Sequence, residues 1–143
     1  MEAGNTKVTP LLLALGIGDA YGAGFEFVPR EEVERDNNAR RYRKKSSNGV
    51  KPGYYTDDTQ MSLCVAEALI AHGHDDDDAL FGAMAQHFVA WYFGDDNDRS
   101  PGAATGAACE KLKDGVSGRE SGTADSKGAG ANMRVVPVGL FYE

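Results

Sequence analysis

The sequence predicts an all-α domain. No segment alternates apolar and polar residues as a strand does. Apolar residues instead recur at three- and four-residue steps, and Thr, Asp or Ser-Pro stands at the start of each such stretch. The 143 residues, 41% hydrophobic and 26% charged, suit one globular domain over 1–143 that buries its own core. No internal repeat is present.

Segment 9–23 (TPLLLALGIGDAYGA) reads as the first helix, with Thr9 as N-cap and Pro10 in the first helical position. Gly18 and Gly22 fall four apart on one face, where another element could pack closely. Residues 29–55 contain Pro29, Asn37-Asn38, Asn48-Gly49 and Pro52-Gly53. They read as a long irregular connection with a short helix near 30–36, and connections of this length are often functional. Segment 57–72 is a second helix whose Met61, Cys64, Val65, Ala68 and Leu69 make one buried stripe. Asp75–Asp78 open a third helix running to about Tyr92. These acids complement the helix dipole, and the ligand and glycine spacing of an EF-hand is absent. Ser100-Pro101 starts a fourth helix ending near Lys113, residues 114–125 are turn-rich, and Pro137 begins a last helix that the chain end interrupts.

A formal charge of −7 argues against nucleic-acid binding, whose affinity rests on neutralising phosphates. Arg40-Arg41-Tyr42-Arg43-Lys44-Lys45 is a local exception, read as a solvated loop, with a phosphate-facing role as the alternative. Cys64 and Cys109 form no CxxC pair and read as buried free thiols suited to a reducing cytoplasm, a single disulfide being the alternative. The apolar run Leu11–Ile17 is too short for a membrane span or a convincing signal peptide, so no membrane association is expected.

The chemistry concentrates at Thr56-Asp57-Asp58-Thr59-Gln60. Spacing alone favours capping: Thr56 or Asp57 can cap the helix, and Asp57 with Gln60 fits a capping box. One cap needs only one such side chain, however. Three consecutive oxygen-bearing side chains at a bending helix entrance can converge, which suits Mg²⁺, Mn²⁺ or Ca²⁺. Residues 126–134 are a glycine loop in which Gly128 and Gly130 let backbone N–H groups approach an anion, with Ser126 and Lys127 adding a donor and a charge. Taken alone, such a glycine loop is more often a plain turn. Phe88, Trp91 and Tyr92, at helical spacing, read as core rather than as a stacking surface. His72, His74 and His87 have no catalytic partner in the sequence.

Three stretches, in order, resemble the ADP-ribosylglycohydrolase family, in its bacterial-type branch: GIGDAYGAGFEF (16–27), YTDDTQMSLCVAEALI (55–70) and SKGAGANMRVVPVGLF (126–141). The resemblance implies an orthogonal multi-helix fold of which this chain is the N-terminal portion. It implies an enzyme that cleaves the glycosidic bond between ADP-ribose and a modified protein side chain or small acceptor, using two Mg²⁺ ions, with Mn²⁺ as a substitute. Thr56, Asp57 and Asp58 match metal ligands. Asp57, Asp58 and Glu26 match the catalytic acids. Ser126, Lys127, Gly128, Ala129, Gly130 and Met133 match the substrate loop. Asp19 is read as a structural carboxylate bonded near Gly22 or to the 126–134 loop, and Arg134 as pairing with an acid or holding that loop.

The chain departs from the family pattern at Ala129, where Cys or Asn is usual, at Asn132, and at Pro101–Thr105, which lacks an Asn. The Asp-x-Asp-Thr motif that supplies the family's second group of ligands is missing from these 143 residues. The alternative expectation is therefore a catalytically incomplete fragment that binds ADP-ribose or a partner, self-associates, or is complemented by a C-terminal segment.

Overall fold

The computed structural model describes residues 5–43, 49–95 and 97–142. They form six α-helices: α1 (Asn5–Gly22), α2 (Arg30–Asp36), α3 (Asp57–His72), α4 (Asp77–Phe93), α5 (Ala103–Lys113) and α6 (Val136–Phe141), with a 3-10 turn at Asn132–Arg134 before the last. No strand occurs among the described residues, so the all-α class stands.

Helix α3 is the hub, packing on α1, α4, α6 and the 3-10 turn, while α5 packs on α4. Its predicted stripe is the core. Val65, Ala68 and Leu69 meet Leu80 and Ala83 of α4, with Val138 and Phe141 of α6 against them. Met61 and Cys64 meet Trp91, with Phe88, Tyr92 and Met133 alongside. Met61 and Leu69 are each only 1% exposed, and burying such a side chain contributes about 1.5–3 kcal/mol. The aromatic reading holds: Trp91 is buried, and Phe88 and Tyr92 pack half-buried against its cluster.

Four local expectations are corrected. Helix α1 begins at Asn5, so Thr9 is not its N-cap and Pro10 lies inside it. The first four N–H groups of a helix lack partners anyway, so a proline just beyond them forgoes little more than a single backbone bond. Gly18 and Gly22 meet no packing partner: a Cβ built on either has nothing within 4 Å, and both line a cavity. Gly16 makes the nearer approach instead: a Cβ built on it would lie 3.8 Å from the Thr59 methyl. The third correction is the start of α5, at Ala103 with Gly102 as N-cap, rather than at Ser100-Pro101.

The fourth concerns the basic stretch, which is not simply a solvated loop. Arg40 and Arg41 are exposed, but the Arg43 side chain is only 12% exposed. It pairs with Glu32 at 2.7 Å and Asp36 at 3.2 Å, and donates to the Gly24 carbonyl at 3.2 Å. These contacts tie the segment after α2 to the end of α1. Tyr21 reinforces them, donating to Asn37 Oδ1 at 2.7 Å and accepting the Ala39 N–H at 2.8 Å. Lys44 and Lys45 lie outside the described residues.

Both cysteines are free and buried. Their thiols donate to successive carbonyls of α4, Cys64 to His87 at 3.8 Å and Cys109 to Phe88 at 3.7 Å. Helix α4 is capped by Asp76, which accepts the Ala79 N–H at 2.9 Å, with Asp77 and Asp78 in the first turn. The acidic run thus serves the helix start. No described helix is long and apolar enough to cross a membrane.

Candidate functional site

The site is built where α1 meets the entrance of α3. Asp19 of α1 accepts four hydrogen bonds: from Thr56 N at 2.8 Å, Thr56 Oγ1 at 2.7 Å, Thr59 N at 3.1 Å and Thr59 Oγ1 at 2.6 Å. Its role is structural, as the sequence suggested, but its partners are the α3 entrance rather than Gly22 or the 126–134 loop. Thr56 is the N-cap, its hydroxyl accepting the Asp58 N–H at 3.2 Å. The capping box with Gln60 does not form. The Asp57 N–H that Gln60 would satisfy is bonded to the Arg99 carbonyl at 3.0 Å, and Gln60 Oε1 accepts the Trp91 indole N–H at 2.9 Å.

With the entrance held by Thr56 and Asp19, neither Asp57 nor Asp58 is needed as a cap. Asp57 is buried and its carboxyl is pushed up from 3.8 to about 6, first by burial and then by the Asp58 charge. The backbone N–H groups of Asp57 and Gly102 oppose that rise. Asp58 is raised too, by burial and then by the charges of Asp19 and Glu26. Acidic groups that raise one another's proton affinity concentrate negative charge at this entrance, which a cation would relieve.

A cavity of about 1440 Å³ opens beside this entrance, above the roughly 300–1,000 Å³ usual for small-molecule pockets. Thr56, Asp57, Asp58, Glu26, Ser126, Gly128, Ala129, Gly130 and Met133 all line it. Lys127 does not; it is exposed. The Gly128 N–H, expected to face an anion, donates instead to Ser126 Oγ at 3.3 Å within the loop. Met133 packs on Met61, Cys64 and Trp91, and its carbonyl accepts the Ser62 hydroxyl at 3.1 Å, fastening the loop to α3.

Arg134 also lines the cavity. Its guanidinium contacts Met61 Sδ at 3.3 Å and lies 4.9 Å from the centre of the Phe88 ring. Burial lowers its pKa, and the nearby Asp57 charge works in the opposite direction. The histidines lie elsewhere: His72 pairs with Asp75 at 2.8 Å, His87 with Glu67 at 3.1 Å, and His74 stacks on Phe141.

The donor set suits a hard divalent cation only in part. Thr56 Oγ1 gives its proton to Asp19 and one lone pair to Asp58 N, leaving a lone pair beside two carboxylates. All three are oxygen donors, as Mg²⁺ and Mn²⁺ prefer. Among the described residues, however, no group of three His, Cys, Asp or Glu side chains could hold a metal ion.

Sequence reasoning missed Arg99 and Gly102. The Arg99 carbonyl accepts the Asp57 N–H at 3.0 Å, and Gly102 stands at the start of α5 beside the same carboxylate. No local pattern marks either residue, because their role depends on the α4–α5 turn folding back onto α3.

The family model for ADP-ribosylglycohydrolases matches residues 2–143. The ADP-ribosylarginine hydrolase Tri1 of Serratia proteamaculans is 31% identical over 141 residues, covering 94% of this chain and 36% of that protein. Its namesake from Pseudomonas putida is 31% identical over 138 residues, covering 91% and 34%. The ADP-ribosyl-dinitrogen reductase glycohydrolase of Rhodospirillum rubrum is 30% identical over 136 residues, covering 90% and 42%. The chain thus spans about a third to two-fifths of the length of these relatives. Since the match runs through the α3 entrance and the glycine loop alike, the chain belongs to the ADP-ribosylglycohydrolase family.

Proposed function

We propose that the protein hydrolyses the glycosidic bond between ADP-ribose and a modified protein side chain. The observation that carries this reading is one cavity lined by Thr56, Asp57, Asp58, Glu26 and most of the 126–134 loop. Two of the relatives are named for ADP-ribosylarginine and one for ADP-ribosyl-dinitrogen reductase. An ADP-ribosylated arginine on a protein is therefore the substrate to test first, with a small ADP-ribosylated molecule as the variant.

Thr56, Asp57 and Asp58 would hold Mg²⁺ or Mn²⁺, contributing three of the six oxygens that an octahedral ion requires. When bound, such ions supply Lewis acidity toward sugar hydroxyls and water. The chain's own residues do the rest. Glu26, beside Asp58, accepts a proton from the attacking water. The negative charge of Asp58 and Glu26 stabilises positive charge developing at the anomeric carbon. The C–N bond breaks as water adds to that carbon, and Glu26 passes the proton it took to the departing guanidine nitrogen, while Asp57 stays ionised as a ligand. Ser126, Gly128, Ala129, Gly130 and Met133 form the wall against which ribose and pyrophosphate are oriented, with Lys127 outside it. Two buried free thiols suit a reducing, cytoplasmic setting.

The test is release of free ADP-ribose from an arginine-modified protein. Release that requires Mg²⁺ and is lost in Asp57→Ala supports the reading; undiminished release in EDTA overturns it. The small donor set favours a second reading, binding of ADP-ribose without turnover. Saturable ADP-ribose binding with no product from any ADP-ribosylated substrate would select that one.

A further inference from the structure

We infer that Arg99 is a positioning residue for Asp57, clamping the backbone on both sides of Thr56 so that the Asp57 carboxylate faces the cavity. Arg99 lies in the turn between α4 and α5, outside the cavity lining. Its side chain holds the peptide before Thr56: Nη1 donates to the Tyr55 carbonyl at 3.2 Å. Its own carbonyl holds the peptide after Thr56, accepting the Asp57 N–H at 3.0 Å. One residue thus grips the chain immediately before and immediately after Thr56.

The grip is itself anchored. The guanidinium carbon lies 4.8 Å from the Tyr54 ring centre and 4.7 Å from that of Tyr55, and Nε pairs with Asp98 at 3.2 Å. The Arg99 side chain is only 20% exposed although it sits on a surface turn. A guanidinium presents its donors in one rigid plane, so ring contact, ion pair and carbonyl bond fix it together. Next in the chain, Ser100 adopts a left-handed φ of 63°, a conformation that non-glycine residues hold only when their surroundings enforce it. That turn delivers Gly102, whose N–H favours the ionised Asp57 carboxylate, to the start of α5. Asp19 fixes Thr56 and Thr59 from the α1 side, and Arg99 fixes Tyr55 and Asp57 from the α4–α5 side. The consequence for cation affinity rests on the metal reading proposed above; the clamp itself does not.

The experiment uses the whole chain with Arg99→Ala and Arg99→Lys. It measures amide hydrogen exchange at Asp57 and Leu69, thermal midpoint in EDTA, and binding of Mn²⁺ alone by paramagnetic resonance. Losing a charge-assisted hydrogen bond and two ring contacts should speed Asp57 exchange about tenfold or more in Arg99→Ala, while Leu69 in the α3 core is unchanged. Mn²⁺ binding should weaken about tenfold, and Arg99→Lys, lacking the planar fork, should recover only part of that loss. Unchanged Asp57 exchange, or faster exchange with unchanged Mn²⁺ affinity, overturns the inference. Full rescue by lysine also overturns it, by assigning the effect to charge alone. If the parent chain binds no Mn²⁺, the metal reading fails and the cation-positioning role fails with it, while the exchange data still decide whether the clamp exists.

Discussion

Asp19 Oδ2 accepts the Thr59 hydroxyl at 2.6 Å across forty positions of sequence, and the same carboxylate takes both donors of Thr56. A carboxylate of α1 therefore does for the α3 entrance what a local cap does elsewhere, and it leaves Asp57 and Asp58 available to the cavity. Asp19→Asn replaces one acceptor oxygen with a donor that faces hydroxyl and N–H donors. It should lower stability by about 2–4 kcal/mol, or roughly 4–16 °C in thermal midpoint for a chain of this size. Thr59→Val removes one of the four bonds and should cost about 1 kcal/mol. Urea unfolding of the two variants checks the ranking, and an Asp19→Asn variant as stable as the parent would remove Asp19 from this role.

The pH dependence of stability follows from Asp57. Its carboxyl in the folded chain titrates at about 6, above its ordinary 3.8, so the folded state binds this proton more tightly than the unfolded state does. The associated stabilisation is fully present below 3.8 and is lost as pH rises through 6. Asp58, also raised, acts in the same direction. Between pH 5 and 7.5 in EDTA the parent should lose on the order of 1 kcal/mol more than Asp57→Asn, which has no proton to release. Parallel pH profiles for the two proteins, measured by urea titration, would contradict this.

Most of the helical framework was legible because it rests on local signals. The three- and four-residue spacing of Met61, Cys64, Val65, Ala68 and Leu69 identified the buried face of α3, and the Asp75–Asp78 run marked the start of α4, which Asp76 caps. What was not legible depends on distant partners. Thr56 as N-cap and Gln60 as partner of Trp91 could not be separated from a capping box by spacing, because the Arg99 carbonyl takes the Asp57 N–H and Asp19 the Thr56 N–H, both from outside α3. Arg43 reads as one more residue of a basic run until Glu32, Asp36 and the Gly24 carbonyl are folded around it. Gly18 and Gly22 look like a close-packing pair until the face they occupy proves to be cavity wall. Of the residues matched by resemblance, only Lys127 falls outside that wall.

The two thiols should be inert in the folded chain. Burial pushes Cys64 up to about 11 and raises Cys109 as well, and both protons are committed to carbonyls of α4. Thiolate, the reactive form, is therefore scarce at pH 8. A disulfide-exchange reagent should modify neither cysteine in native buffer and both in 8 M urea, scored by absorbance. Rapid native modification of Cys64 would show that the α3–α4 contact opens readily.

Helix α1 makes the last prediction, because much of its apolar surface is uncovered. Leu13 is 60% exposed and Ile17, one turn further on the same face, 59%. Single exposed apolar residues are ordinary, but a run along one helix is the kind of patch that seeks a partner. The isolated 143-residue chain should therefore show a mass above its 15.3 kDa monomer in light scattering, rising with concentration. Leu13→Lys with Ile17→Lys should return it toward the monomer without loss of helicity, since both positions are solvent-facing and lysine is a good helix former. Salt separates the apolar cause from a charged one: raising ionic strength screens ion pairs but leaves burial of Leu13 and Ile17 intact, so association should persist at high salt. A parent chain that stays monomeric at every concentration would mean that α1 tolerates this exposure and that the apolar face does not drive self-association.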